Sequence, residues 1–156
     1  VPGVYAVGDV NGGPQFTYIS LDDFRIVFGA LTGNSQYTLK DRKNIPYTTF
    51  LTPPLSRVGL TEEDAINQGY TVKTKEMLVA TMPRAHVNDY LKGAFKIVVD
   101  ADNDLILGAT LYAQGAEELI NLIKIAMDNN IPYTYFKNQI FTHPTMAENL
   151  NDLCNF

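Results

Sequence analysis

The sequence predicts an α+β fold for residues 45–156, an antiparallel sheet of four or five strands with helices packed on it, preceded by a strand-loop-helix unit over residues 1–44. Three observations predict it. Two β-rich runs, Phe95 to Asp100 and Leu105 to Ala113, flank the turn-forming stretch Ala101-Asp102-Asn103-Asp104, an antiparallel hairpin signal. Gly115 to Asn129 places Leu119, Ile120, Ile123 and Met127 on one helical face. A polar segment from Thr38 to Asn44, with four charges and only Leu39 as a large apolar residue, separates two differently patterned regions.

The elements follow in order. Val4 to Val7 is short, apolar and β-prone, and Gly8-Asp9 with Asn11-Gly12-Gly13-Pro14 ends it in a loop. Thr17 is placed to cap a helix whose Phe24, Val27, Phe28 and Leu31 recur at helical spacing before Gly33. Past the linker, Pro46 to Leu51 and Arg57 to Leu60 predict short strands around Thr52-Pro53-Pro54. Thr61-x-x-Asp64 is a capping-box variant opening a helix that stops at Gly69. Tyr70 to Ala80 alternates loosely as a strand, and the hairpin and the long helix complete the sheet and its cover.

Composition excludes several function classes. Apolar residues make 46% of the 156-residue chain and charged residues 19%, the balance of a folded domain. The net charge of −5, with Lys and Arg scattered, offers no track for a phosphate backbone, so nucleic acid is not an expected partner. No apolar run nears the ~18 residues of a membrane span and no signal-peptide pattern opens the chain, so no membrane is expected as a partner and the cytoplasm is the default location. With Cys154 alone, neither an internal disulfide nor a Cys-based zinc site can be built, and no metal site is expected. The start at Val1-Pro2-Gly3, running straight into a strand-like segment, reads as the beginning of an excised fragment.

Two places carry candidate chemistry. At Gly8-Asp9, glycine lets the backbone approach a ligand and the carboxylate can accept hydrogen bonds from a sugar-like hydroxyl; Thr17 at a helix start adds first-turn amides that favour an electron-rich atom. In Thr142-His143-Pro144-Thr145-Met146-Ala147-Glu148, proline bars a helix through His143 and is placed to open the next one, with Glu148 on it. A carboxylate bonded to one ring nitrogen fixes the tautomer and leaves the other for proton transfer, so the two form a general acid/base pair. Each has a plainer reading when taken alone: an Asx turn, an N-cap, a surface loop. His86 reads as an exposed loop residue, Glu117-Glu118 as a solvated or interface-edge pair, Cys154 as inert, and the aromatics from Tyr133 to Phe141 as core or dimer contacts.

Taken together, Val4-Tyr5-Ala6-Val7-Gly8-Asp9 resembles the second flavin motif of the glutathione reductase, dihydrolipoamide dehydrogenase and mercuric reductase family, and His143-Pro144-Thr145-x-x-Glu148 resembles its C-terminal catalytic motif. The hairpin ending in Leu107-Gly108-Ala109 and the helix from Gly115 look like its interface domain. Two motifs in the right order, some 130 residues apart, outweigh the plainer readings. The resemblance implies that residues 1–44 are the C-terminal remnant of an FAD-binding domain and residues 45–156 a dimerisation domain. It implies that Gly8 and Asp9 bind FAD, Asp9 at the ribityl chain, and that Thr17 lies near the pyrimidine edge. It further implies that His143, oriented by Glu148 and followed by a cis proline, serves the partner subunit of a homodimer.

FAD and NAD(P)H would belong to the full-length enzyme and its substrate would be a disulfide or small molecule; this chain alone is expected to bind FAD weakly or not at all and to lack reductase activity. The stretch Gln15 to Asp23 and Thr52-Pro53-Pro54-Leu55-Ser56-Arg57-Val58-Gly59 look most like a bacterial branch linked to reactive-chlorine resistance, for which copper(II) reduction has been proposed. Two other readings, a non-enzymatic α+β dimerisation module and a dithiol-free flavoprotein oxidase or peroxidase, differ from this one in the upstream sequence they require.

Overall fold

A computed structural model describes residues 1–156, which form two compact units, Val1–Lys43 and Asn44–Phe156. In the first, helix α1 spans Thr17–Leu31 and a 3-10 turn spans Gly8–Asn11. The expected strand over Val4 to Val7 is absent. Val7 is extended, but a strand needs a ladder partner, and residues 1–43 contain no strand to pair with it. Thr17 is the first residue of α1 and not its cap: Phe16, extended at φ −130° and ψ 143°, holds the N-cap position and has no side-chain acceptor to offer. The apolar stripe is also displaced. Phe24, Phe28 and Leu31 are exposed, whereas Ile19, Asp23 and Gly29 are buried.

The second unit is the predicted α+β fold, with five strands. These are β1 (Tyr47–Thr49), β2 (Leu55–Gly59), β3 (Val72–Leu78), β4 (Ala94–Asp100) and β5 (Ile106–Tyr112), in the antiparallel order β1-β2-β5-β4-β3. The hairpin pairs β4 with β5 in the register Phe95↔Leu111 and Ile97↔Ala109, with a bulge between Val98 and Val99. The buried Asp100 carboxylate closes its turn by accepting from the Asp102 N–H at 3.0 Å and the Asn103 amide at 2.8 Å. The Asn103 amide, first among those donors, holds that carboxyl below the usual range.

Alternation along the strands sends Phe95, Ile97, Val99, Ala109, Leu111 and Val58 into one core. Helix α4 (Ala116–Asp128) covers it with Leu119, Ile120, Ile123 and Met127, the face read from the sequence. Helix α2 (Glu62–Asn67) starts at the expected capping box, in which the Asp64 N–H donates to Thr61 Oγ1 at 3.0 Å and the Thr61 N–H to Asp64 Oδ2 at 3.3 Å. Gly93, at φ +124°, lets the chain enter β4 against the β5 backbone: a Cβ there would lie 1.8 Å from the Tyr112 carbonyl oxygen.

His86 is exposed, but it lies on a short helix, α3 (Pro83–Val87), because Pro83 at the first position favours helix; its Nε2 meets the Ala80 carbonyl at 2.8 Å. At the start of α4 Glu118 is exposed, while Glu117 is half-buried and its Oε2 is withdrawn from solvent without a hydrogen-bond partner. Of the pair expected to be solvated or at an interface edge, Glu118 alone is exposed to solvent. No helix is long and apolar enough to cross a membrane.

Candidate functional site

The catalytic candidates come together in the last part of the second unit. Helix α5 (Tyr133–Lys137) buries Tyr133 and Phe136, and α6 (Asn149–Leu153) buries Leu150 and Leu153, so both ends of the intervening loop are anchored in the core. The loop is held by side-chain amides. Asn151 donates to the carbonyls of Phe136 at 2.7 Å and Gln139 at 3.0 Å, and the buried Asn149 donates to those of Thr145 at 3.2 Å and Met146 at 3.1 Å. Lys75, on β3, places its ammonium on the carbonyls of Asp152 and Asn155 at the far end of α6, where a cation offsets the helix dipole.

On this frame His143 Nδ1 meets Glu148 Oε2 at 2.7 Å, and the His143-Pro144 bond is cis. Glu148 does not lie on the helix as expected. It occupies the N-cap position of α6, five residues after the loop's imidazole, because Thr145 and Glu148 first bond reciprocally: Thr145 N–H donates to Glu148 Oε1 at 3.1 Å and Glu148 N–H to Thr145 Oγ1 at 3.3 Å. Thr145-x-x-Glu148 is the sequence signature of that reciprocal pair, the signal that could have placed the carboxylate. One carboxylate oxygen therefore holds the turn and the other holds the ring.

An ionised carboxylate only accepts, so Nδ1 carries the hydrogen and Nε2 is left to exchange protons. The imidazole is 68% exposed and the Glu148 side chain 18%, an arrangement that presents a proton-transfer atom outward from an anchored base.

In the first unit, Gly8 and Asp9 open the 3-10 turn, Gly8 half-buried and Asp9 exposed, and the exposed Thr17 is the first residue of α1. Gly8 is at φ +71°, where a side chain would be strained, and a Cβ there would stand 3.1 Å from Ser20 Oγ on α1, so glycine lets this turn lie against the helix without crowding Ser20. That close approach, the exposed Asp9 carboxylate and a helix start with no side-chain cap fit a cofactor carrying hydroxyls and an electron-rich ring edge.

The residues that hold the turn went unread in the sequence. Asp23, 4% exposed, accepts from the Gly8 N–H at 2.7 Å and the Asn11 amide at 2.8 Å and pairs with Arg42, whose guanidinium also reaches Asp22 at 2.6 Å. The Arg42 side chain holds the Asp23 carboxyl below the usual range. Its signal was a charged residue four positions after Ile19, on the buried face of a helix.

Elsewhere, no group of three or more His, Cys, Asp or Glu residues converges as metal ligands would. A shallow cleft of about 720 Å³ lies between α2 and the sheet, away from His143, and its Lys96 is already paired with Glu62 at 2.8 Å and Glu76 at 3.2 Å. Cys154 is fully buried, and burial pushes its thiol up to about 12, so almost no thiolate is available near neutral pH. A thiol-specific reagent at pH 8 is expected to leave Cys154 unmodified in the native protein and to react fully in denaturant; rapid native labelling contradicts the packing described.

Residues 45–154 match the family model "Pyridine nucleotide-disulphide oxidoreductase, dimerisation domain". The chain is 49% identical over 150 residues to the probable pyridine nucleotide-disulfide oxidoreductase RclA of Escherichia coli K12, covering 96% of this chain and 34% of that protein. It is 33% identical over 147 residues to a mercuric reductase of Staphylococcus aureus, covering 94% and 27%. Among solved structures, a Cu(II) complex of the HOCl-induced flavoprotein disulfide reductase RclA from Escherichia coli superposes with a TM-score of 0.94 at 48% identity, over 99% of this chain and 35% of that one. The chain thus spans about a third of the length of its E. coli relative. The motif order, the five-stranded fold and these likenesses agree, and the chain belongs to the pyridine nucleotide-disulphide oxidoreductase family, with its dimerisation domain in residues 45–154.

Proposed function

We propose that the full-length protein is a homodimeric, flavin-dependent NAD(P)H oxidoreductase acting on a disulfide, a metal ion or a small oxidant, and that residues 45–156 lend His143 and Glu148 to the redox centre of the partner subunit. The observation that carries this reading is the 2.7 Å contact between His143 and Glu148 on a ring otherwise open to its surroundings. Glu148 sets the tautomer, Asn149 and Asn151 hold the loop, and Nε2 gives or takes a proton as a thiol partner is formed or consumed. Residues 1–44 then complete an FAD-binding domain, with Gly8 and Asp9 toward the sugar-like chain of the cofactor and Thr17 toward its ring edge. Bound FAD would supply the two-electron transfer between nicotinamide and acceptor.

The E. coli relative, an HOCl-induced flavoprotein disulfide reductase solved as a Cu(II) complex, supports placing the acceptor in the reactive-chlorine branch. The buried Cys154 offers no soft ligand for a metal-ion substrate. Mixed dimers test the sharing of residues between subunits. One subunit carries His143→Ala, the other a serine in place of an upstream redox cysteine. Exchange across the two-fold axis leaves one competent centre of the two, so about half of the wild-type activity is expected in the heterodimer. A heterodimer as inactive as either parent means that His143 serves its own subunit, and a fully active His143→Ala homodimer means that it serves neither.

A further inference from the structure

We propose that Asp23, clasped by Arg42, is the positioning residue of the flavin turn, setting the direction of the Asp9 carboxylate by pinning both ends of Gly8–Asn11. The proposal rests on the reading that Gly8 and Asp9 receive FAD. One oxygen of Asp23, Oδ2, takes the Gly8 N–H at 2.7 Å and the Asn11 amide at 2.8 Å, so the first and last residues of the turn are tied to a single atom of α1. The other oxygen meets the Arg42 guanidinium. The same guanidinium also pairs with Asp22 at 2.6 Å, and Asp22 accepts from the Tyr37 hydroxyl at 3.0 Å. Asn11 carries the order one step further, its Oδ1 accepting from the Gly13 N–H at 2.8 Å.

A carboxylate so far from solvent stays ionised only where donors and a cation surround it, and this one has all three partners. At φ +71° the Gly8 peptide is free to rotate in a way other residues are not, and rotation there would swing the adjacent Asp9 side chain. The bond to Asp23 removes that freedom. Asp23 itself is buried and acts on the turn through the Gly8 N–H and the Asn11 amide. Asp22 shares the same arginine and takes no part in the turn bonds, which makes it the natural control.

In the full-length protein, Asp23→Asn is expected to weaken FAD binding about 10- to 100-fold, the loss of charge-assisted hydrogen bonds, and to change the visible circular dichroism of the flavin that remains. Asp22→Asn, which keeps both turn bonds, is expected to leave that spectrum unchanged. Equal losses in the two variants, or an unaltered spectrum in Asp23→Asn, overturn the proposal. Should Asp23→Asn fail to fold, Asn11→Ala, which removes one pin and leaves the ion pair, must show a smaller spectral change, and its absence is equally decisive. Asp9→Ala separates the two levels: loss of FAD in Asp9→Ala beside a normal Asp23→Asn sinks the positioning role alone, whereas full FAD binding by Asp9→Ala removes the cofactor reading and the positioning role with it.

Discussion

Replacing His143 by alanine in the full-length protein is expected to slow the disulfide-side half-reaction by a factor on the order of 10²–10⁴ while reduction of the flavin by nicotinamide continues at the wild-type rate. The split follows from geometry. The ring bonds to Glu148 through Nδ1 and is 68% exposed, so its removal opens no cavity in the core and breaks no contact that the fold requires. What disappears is a proton-transfer atom held at a fixed position. Glu148→Gln is expected to cost less than His143→Ala in rate, because the ring remains, but more in stability. The same carboxylate receives the Thr145 N–H at 3.1 Å and closes the turn before α6. Stopped-flow measurement of the two half-reactions checks both, and unchanged turnover of His143→Ala with the physiological acceptor removes the imidazole from the mechanism.

Replacing Phe95 by alanine is expected to destabilise the second unit by about 3–5 kcal/mol, a large part of the roughly 5–15 kcal/mol that holds a domain together. Phe95 is fully buried on the inner strand β4, between Met77 of β3 and Leu111 of β5 in the ladder register. Its loss combines the transfer of a large apolar surface to water with a cavity that Ile97, Val99 and Leu111, themselves inaccessible to solvent and held by two ladders, cannot collapse to fill. Denaturant unfolding at fixed protein concentration should show a lower midpoint with an unchanged slope. A loss below about 1 kcal/mol would mean that the sheet tolerates the void, contrary to the close packing described.

Elements built from contacts near in sequence were legible. The hairpin from β4 to β5 needs only alternation and a polar turn, α4 needs a 3.6-residue stripe, and the Thr61–Asp64 capping box needs two residues three apart. Misreadings arose where a partner decided the outcome. Val4 to Val7 has strand composition, yet composition supplies no hydrogen-bond partner, and the segment stays unpaired. Thr17 has a good capping side chain, but the helix starts one residue too early for it to serve as the cap. Phe24 and Phe28 recur at helical spacing and stack on each other at 5.6 Å, outside the packed face of α1.

The sequence by itself determined the α+β class, the hairpin and its covering helix, and the adjacency of an imidazole to a proline break with a carboxylate five residues on. Those features follow from backbone periods and short-range sterics, which act within a few residues. Tertiary structure alone decided the strand order β1-β2-β5-β4-β3 and the seating of the His143 loop on the amides of Asn149 and Asn151. It alone drew Asp23, Asn11 and Arg42 together across separations of 12 and 19 residues. Charged and amide side chains choose partners by where burial leaves donors without water, and that location exists only once the chain has closed on itself.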